Sequence, residues 1–359
     1  MDYNSFRYFA LYNPLKSLGI SKKVEGTVKA AQELGFEAKV KDNKNSILGM
    51  ICFLCDIYFS KSHVLYIRFS DFAFPILFPI LIFKRLMGHK IIVDVPTPRV
   101  VGVREIHGSS SIWYLKRVRI LYNYMSGPWV LWPAHRVVQY ASEGWWFSLG
   151  LQKKTIQVGN GIYLSSKVPI RKDTKIPRVL RLLAVAQVAP WHGFDRVIRA
   201  IAFLKNTQRD LSVYFTVVGE GQALAELKNL TKRLGLQKEV VFRGMLDGEE
   251  LNQIFDENDI GISSMALFRK QMEEASDLKT REYIARGMIV IGVGRDPDFL
   301  EDSPCRLTIP NDDSIDSLAM LLVSLESRGV PSPEEVRNFA EKKLTYSVKL
   351  KQIIRGVAL

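Results

Sequence analysis

Two carboxylates, Glu274 and Glu282, stand with seven residues between them in the run EEASDLKTREYIARGMIVIGV over 273–293. Ser276, Lys279, Thr280 and Arg281 lie in that interval. The pattern predicts a helix over 277–286, with Ser276 as its N-cap and Gly287 at its C-terminal stop. The apolar residues 288–292 then read as a buried strand. The first amides of a helix lack partners inside it, and the positive end of the macrodipole lies there, so the start of this helix suits an anion. Lys279 and Arg281 add cationic donors. The chemistry on offer is a diphosphate clamp with a carboxylate on either side. Taken alone, the run fits a solvated charged helix, with Glu and Arg paired at the surface, rather better.

The elements around it alternate. Strand-type and helix-type segments follow one another through most of the chain, which argues for α/β units around parallel sheets. In the first half, strands are expected at 7–12, 37–41, 64–69, 90–95, 135–140 and 155–158, with a helix of about 14 residues from Ser21. Residues 72–87 read as a helix broken at its prolines, and 99–111 as a polar loop. In the second half, strand 179–186 runs into Gln187-Val-Ala-Pro-Trp-His-Gly193 and a helix from Phe194. Strand 211–218 runs into Gly219-Glu220-Gly221 and another helix. Strand 239–242, helix 247–257 and strand 260–263 lead to the opening run. The polar, Pro-bounded stretch 165–177 is the best linker between the halves.

A length of 359 residues suits two domains, and 47% hydrophobic with 24% charged residues is an ordinary globular balance. The net charge of +13 is uneven: up to Ser165 there are 21 Lys and Arg against 10 Asp and Glu, and thereafter 29 against 27. Such asymmetry points to an anionic partner for the first half. Residues 112–133 mix Trp113, Tyr114, Tyr122, Tyr124, Trp129 and Trp132 with Lys116, Arg117 and Arg119, a basic aromatic segment suited to a membrane interface or, equally, to core packing. No nucleic-acid motif accompanies it. Cys52 and Cys55 form a CxxC inside an apolar run without further ligands, so buried thiols are expected there rather than a metal or redox site. The longest apolar stretch, 72–83, has 12 residues and is too short to span a bilayer. With no leader-type N-terminus, a cytoplasmic protein is expected, peripheral on the inner face of a membrane.

The second half, in the order just given, resembles the retaining glycosyltransferases of family 4, the group 1 sugar-nucleotide transferases with the GT-B fold. The elements that carry the likeness are the His192-Gly193 loop, Gly219-Glu220-Gly221, VVFRGML over 240–246, and Glu274 with Glu282. The segments VLYIRF, IIVDVPTP and VGNGI of the first half, with SDLKTREY, are similar to enzymes of bacterial capsule, exopolysaccharide and lipopolysaccharide assembly. The resemblance implies an α/β protein of two Rossmann-like domains with parallel sheets facing across a cleft. Residues 1–165 would bind the acceptor and 166–343 the nucleotide sugar, with 344–359 a helix returning to the first domain. It implies that Glu282 binds the nucleotide ribose and that Glu274, rather than Glu273, binds the transferred sugar.

Two departures from the family pattern matter. Many members carry an Arg and a Lys in the loop before the His-Gly position, where this chain has Gln187 and His192. Lys279, and less so Arg281, would replace that clamp, with Ser276, Gly193, Gly219, Gly221 and the Gly19 and Ile20 amides as further phosphate donors. Many members also place a His after the fourth strand. Here that position falls on 94–97, where Asp94 or Thr97 would contribute unless it is merely a solvated strand end, with His107 as an outside candidate. No Asp-x-Asp pair stands out, so no metal and no other cofactor is expected. The implied reaction moves a sugar from a nucleotide diphosphate sugar to a hydroxyl of a glycan, lipid-linked in surface polysaccharide assembly, at an anionic membrane surface and with no nucleic acid involved. A non-catalytic GT-B subunit and a sugar-nucleotide epimerase are the alternatives.

Overall fold

The structure is a computed structural model and describes residues 2–14, 17–108, 112–164, 168–172, 178–207, 210–327 and 330–357. It divides into two compact units: Met1–Tyr163 together with Thr345–Leu359, and Leu164–Leu344. Most of the expected linker 165–177 lies outside the described residues.

The first unit runs β1 (Asp2–Leu11), α1 (Leu18–Glu33), β2 (Glu37–Asn43), α2 (Ile47–Phe59), β3 (Ser62–Arg68), α3 (Ala73–Leu86), β4 (Lys90–Val95), α4 (Arg99–Gly108), α5 (Trp113–Ser126), β5 (Arg136–Gln139), α6 (Trp145–Ser148) and β6 (Thr155–Gln157). The sheet order is β2-β1-β3-β4-β5-β6, and every pair is parallel. Strand side chains alternate between faces. Phe6, Tyr8 and Tyr66 therefore face α1, with Val24 and Val28, while Phe9, Leu65 and Ile67 face α2 and α3, with Phe53, Ile57, Phe74 and Leu77.

The second unit runs β7 (Val179–Val185), α7 (Phe194–Asn206), β8 (Ser212–Val218), α8 (Leu224–Arg233), β9 (Val240–Gly244), α9 (Gly248–Asp256), β10 (Ile260–Ile262), α10 (Leu278–Ala285), β11 (Ile289–Val293), β12 (Arg306–Ile309), α11 (Asp316–Ser327) and α12 (Pro333–Phe339). Its order, β12-β11-β10-β7-β8-β9, is again wholly parallel. The strand order reverses between β7 and β10, and ligands of such sheets bind beyond the carboxyl ends of the strands at that switch. A last helix, α13 (Tyr346–Ile354), belongs to the first unit. Its Tyr346 ring lies where a Cβ on Gly26 would be, 2.2 Å from the ring edge, so Gly26 gives the room that lets α13 close on α1.

Several expectations are corrected. The expected broken helix over 72–87 is one unbroken helix, Ala73–Leu86: Pro75 sits in the first turn, where no amide partner is lost, and Pro79 is accommodated within α3. Residues 99–108 are helix rather than loop, because the Glu143 carboxylate accepts from the Arg99 and Val100 amides at 2.6 and 3.1 Å and caps α4 from a distant loop. Cys52 and Cys55 are exposed on α2 and not in the core, whereas Cys305 is buried. Among the described residues no group of three or more His, Cys, Asp or Glu could hold a metal, and no helix is long and apolar enough to cross a membrane.

Candidate functional site

The opening run of the sequence lies at the switch point of the second unit. The helix begins one residue later than expected: α10 starts at Leu278, and its N-cap is Asp277 rather than Ser276. Asp277 does not cap the helix with its side chain. Its carboxylate turns instead to the end of β10, where the Ser263 and Ser264 hydroxyls donate to it at 2.9 and 2.7 Å and the Ser264 amide at 3.3 Å. The first amides of α10 are thus left without a side-chain cap, in the geometry that receives anions. The Tyr283 hydroxyl accepts the Val185 amide at 2.7 Å, and Gly261 leaves space for the Tyr283 ring, so α10 is fixed against both β7 and β10.

Lys279 turns to the same Asp277 carboxylate and Ser264 hydroxyl. Its side chain is 12% exposed, with Nζ 3.8 Å from Asp277 and donating to the Ser264 hydroxyl at 3.2 Å. Burial lowers the pKa of the ammonium, and Asp277 works against that shift. Burial also opposes ionisation of Asp277, yet Lys279 and the serine hydroxyls overcome it and hold its carboxyl well below the usual carboxylate range.

His192 faces the same group from the loop after β7. Its ring stacks on Phe194 at 5.4 Å, and Nδ1 accepts the Ala189 amide at 3.3 Å, which leaves Nε2 as the donor of the neutral ring. Burial first, and then Lys279, push its pKa down to about 3, so the ring is neutral at physiological pH. Gly193, in the left-handed region at φ 60°, closes this loop onto the one after β10, where a Cβ would lie 2.8 Å from Met265 and Ala266 atoms. Lys270, which no motif of the sequence marks, sits with Nζ 4.0 Å over the Trp191 ring and also bears electrostatically on His192. Lys279 and Lys270 therefore flank the histidine where a permanently charged loop residue was missing. The basic pair Arg269-Lys270 shortly before Glu274 was the available signal.

The remaining expected site residues divide. Glu274 pairs by backbone with Arg295, and its partly buried carboxylate lies 3.7 Å from the Arg295 guanidinium. Neighbouring Glu273 is exposed and accepts from Asn311 at 3.1 Å. Glu282 sits a turn further along α10, half-buried, 3.9 Å from Arg286. Ser276 is half-buried just before the helix, and Gln187 is exposed at the end of β7. Gly219 and Gly221 let the loop after β8 pack on the loop after β7, since a Cβ at either would fall 2.0 and 2.1 Å from the Ala186 and Val188 carbonyl oxygens. The Gly219 amide is spent on the Gly244 carbonyl at 2.6 Å.

Arg281 is a correction. It is fully buried and gripped by Asp296 and Asp298, with Nη2 at 2.7 and 2.6 Å from their carboxylates, so it has no freedom to reach a phosphate. Asp296 and Asp298 form an Asp-x-Asp pair after all, and the guanidinium occupies it.

In the first unit, Asp94, expected as a contributor to the reaction unless a solvated strand end, is fully buried near the end of β4 and is not solvated. Tyr8 donates to it at 2.8 Å, Lys23 at 3.1 Å and Arg68 at 3.5 Å. Burial alone would raise its pKa, but Lys23 and Arg68 hold the carboxyl below the usual range. Lys23 is itself lowered to about 8 by burial. The network ties α1 to β1, β3 and β4. Thr97 is exposed beyond β4, and His107 is exposed on the last turn of α4 with its carbonyl accepting from Lys116 at 3.2 Å. Gly19 lies in the first turn of α1, and the Ile20 amide is already bonded to the Ser17 carbonyl at 2.9 Å.

Two Rossmann-like units, each with a wholly parallel sheet, make up the GT-B fold. Residues 168–343 match the family described as glycosyl transferases group 1, so the second unit carries a domain of that kind. No curated protein matches the chain. Among solved structures, it is similar to the lipopolysaccharide outer core galactosyltransferase WaaB (TM-score 0.64, 11% identity, 98% of this chain and 99% of that one). HepE of Anabaena in complex with UDP (TM-score 0.63, 13% identity) and a sucrose-phosphate synthase from Thermosynechococcus elongatus (TM-score 0.63, 12% identity) are also similar, each over 98% of this chain and 99% of theirs.

Proposed function

We propose that the protein transfers a sugar from a nucleotide diphosphate sugar to a hydroxyl of a glycan acceptor, with retention at the anomeric carbon. The observation that carries this reading is the Lys279 ammonium, largely buried among Ser264, Asp277 and His192 at the uncapped start of α10. That Anabaena HepE has been solved with UDP and with UDP-glucose supports a nucleoside diphosphate here. Lys279, Lys270, the His192 Nε2–H and the first amides of α10 take the two phosphates. They stabilise the leaving oxyanions as the glycosidic bond breaks, the step at which charge develops. The diphosphate then takes up the acceptor proton, so no strong side-chain base and no metal is called on. Glu282 accepts from ribose hydroxyls and Glu274 from those of the sugar, since a carboxylate accepts from two neighbouring O–H groups at once.

The acceptor is lipid-linked, in bacterial surface polysaccharide assembly, and the first unit meets an anionic membrane. Its charge supports this. With residues 345–359 included it has 24 Lys and Arg against 10 Asp and Glu, a net of +14, and the second unit has 26 against 27, a net of −1. The test is a thermal-shift screen against nucleoside diphosphates and their sugars, followed by product analysis with the nucleotide sugar that binds. Stabilisation by one nucleotide sugar and retained anomeric configuration are expected. A chain that no nucleotide sugar stabilises would instead fit the non-catalytic subunit, which the exposed Gln187 and neutral His192 favour.

A further inference from the structure

The helices α2 and α3 pose a packing problem. A helix that is apolar all round is normally buried on every side. In ILGMICFLCDIYF the only charge is Asp56, and α3 carries none before Lys84. Each helix buries one face on the sheet: Phe53 and Ile57 from α2, and Phe74, Leu77 and Leu81 from α3. The opposite face of each is apolar and open. On α2 the exposed stripe is Ile47, Leu48, Ile51, Cys52, Cys55, Tyr58 and Phe59, and on α3 it is Phe72, Ile76, Pro79, Ile82, Phe83, Leu86 and Met87. Ile47, Phe59 and Leu86 are 79%, 72% and 81% exposed. The stripes are joined, since Tyr58 stacks on Phe83 at 6.0 Å. At the other end Phe72 stacks on Tyr122 of α5 at 5.8 Å. The surface is about 20 Å long, and a contiguous apolar area of this size marks a contact surface.

We infer that the outer face of α2 and α3 docks on an anionic lipid surface. Charge decides between occupants. The unit that presents the face carries +14. A second copy would bring +14 against +14, whereas an anionic leaflet attracts such a unit and accepts apolar side chains at its acyl boundary. Exposed Lys44 and Lys61 stand just outside the two ends of α2, whereas Arg85 on the last turn of α3 is tied to the Pro133 and Ala134 carbonyls. The inference deepens the membrane part of the proposed function and does not depend on the donor chemistry. It assigns the contact to α2 and α3, not to the 112–133 segment alone.

The experiment uses the purified full chain and two sets of vesicles, phosphatidylcholine alone and phosphatidylcholine with about one third phosphatidylglycerol. The chain is expected to float with the anionic vesicles and not with the neutral ones. An environment-sensitive thiol probe on exposed Cys52 and Cys55 should shift to the blue on binding. Combined Leu48→Glu, Ile51→Glu, Phe59→Glu and Leu86→Glu should weaken binding by about tenfold or more. The exposed Met320→Glu of the second unit should leave binding unchanged. The four-site variant is compared only if it unfolds at the wild-type temperature; otherwise the single Leu86→Glu and the probe decide. Wild-type binding by a folded variant without a probe shift overturns the assignment. If Trp113→Glu with Val118→Glu alone releases the chain, the assignment fails while membrane attachment stands. If the unaltered chain binds neither vesicle, both fail. A dimer in solution that the same four substitutions dissolve gives the face to a second copy and also overturns it.

Discussion

At the scale of single residues, Lys279 and Arg281 show how two cations in one helical turn take different roles. Residues i and i+2 face different directions on a helix. Lys279 turns to Ser264 and Asp277 and Arg281 into the Asp296–Asp298 pair. Lys279→Ala is expected to lower kcat/KM by about 10- to 100-fold without loss of fold, and activity within twofold of wild type would refute its role. Asp277→Asn should act through that lysine. The Asp277 charge props up an ammonium whose pKa burial has lowered, so its removal lowers that pKa further. The alkaline limb of the kcat/KM profile should then move to lower pH, and an unmoved limb would leave Asp277 a merely structural residue. Arg281→Met leaves two carboxylates without their buried partner and is expected to cost about 3–5 kcal/mol of stability, read by denaturant unfolding. The sequence could not separate these fates, because a charged helix looks the same whether its partners lie in solvent or, as Asp296 and Asp298 do, beyond the next strand.

At the scale of elements, the strands and helices around the site were legible because apolar periodicity and glycine stops agree with the parallel sheet. β7, β8, β10 and β11 fall within a residue or two of the expected bounds. What was not legible rests on distant contacts. α4 is capped by a glutamate 44 residues away, so its polar sequence reads as loop. An all-round apolar helix such as α2 does not say which side faces the sheet, and its cysteines lie outside. Asp94 at a strand end carries no mark of the Lys23 and Arg68 that enclose it. As that network joins α1 to three strands, Asp94→Asn is expected to destabilise the first unit by about 3–5 kcal/mol, since two cations lose their buried counter-charge. Nucleotide-sugar stabilisation of the folded variant should remain, and its selective loss would return Asp94 to the reaction.

At the scale of the whole molecule, two units with separate cores should unfold as separable events. Calorimetry with saturating nucleotide sugar is expected to raise only the transition of the second unit. At a hundredfold excess over Kd the gain is about 2.7 kcal/mol, or about 5–10 °C for a unit of this size. Equal movement of both transitions would mean that the donor engages both.

The docking of α13 on Gly26 of the first unit also governs how the chain is born. Ile162 pairs with Thr345, so the chain leaves the first unit and re-enters it at adjacent points, with all of Leu164–Leu344 made in between. A ribosome adding about 5–20 residues per second spends roughly 10–40 s on that interval. Throughout it the nascent first unit waits with the Gly26 seat open and Val24, Val28 and Tyr66 lacking their cover from Tyr346, Leu350 and Ile353. The second unit can thus be complete before the unit that began first, and the incomplete α1 surface is where a chaperone would be expected to hold the growing chain.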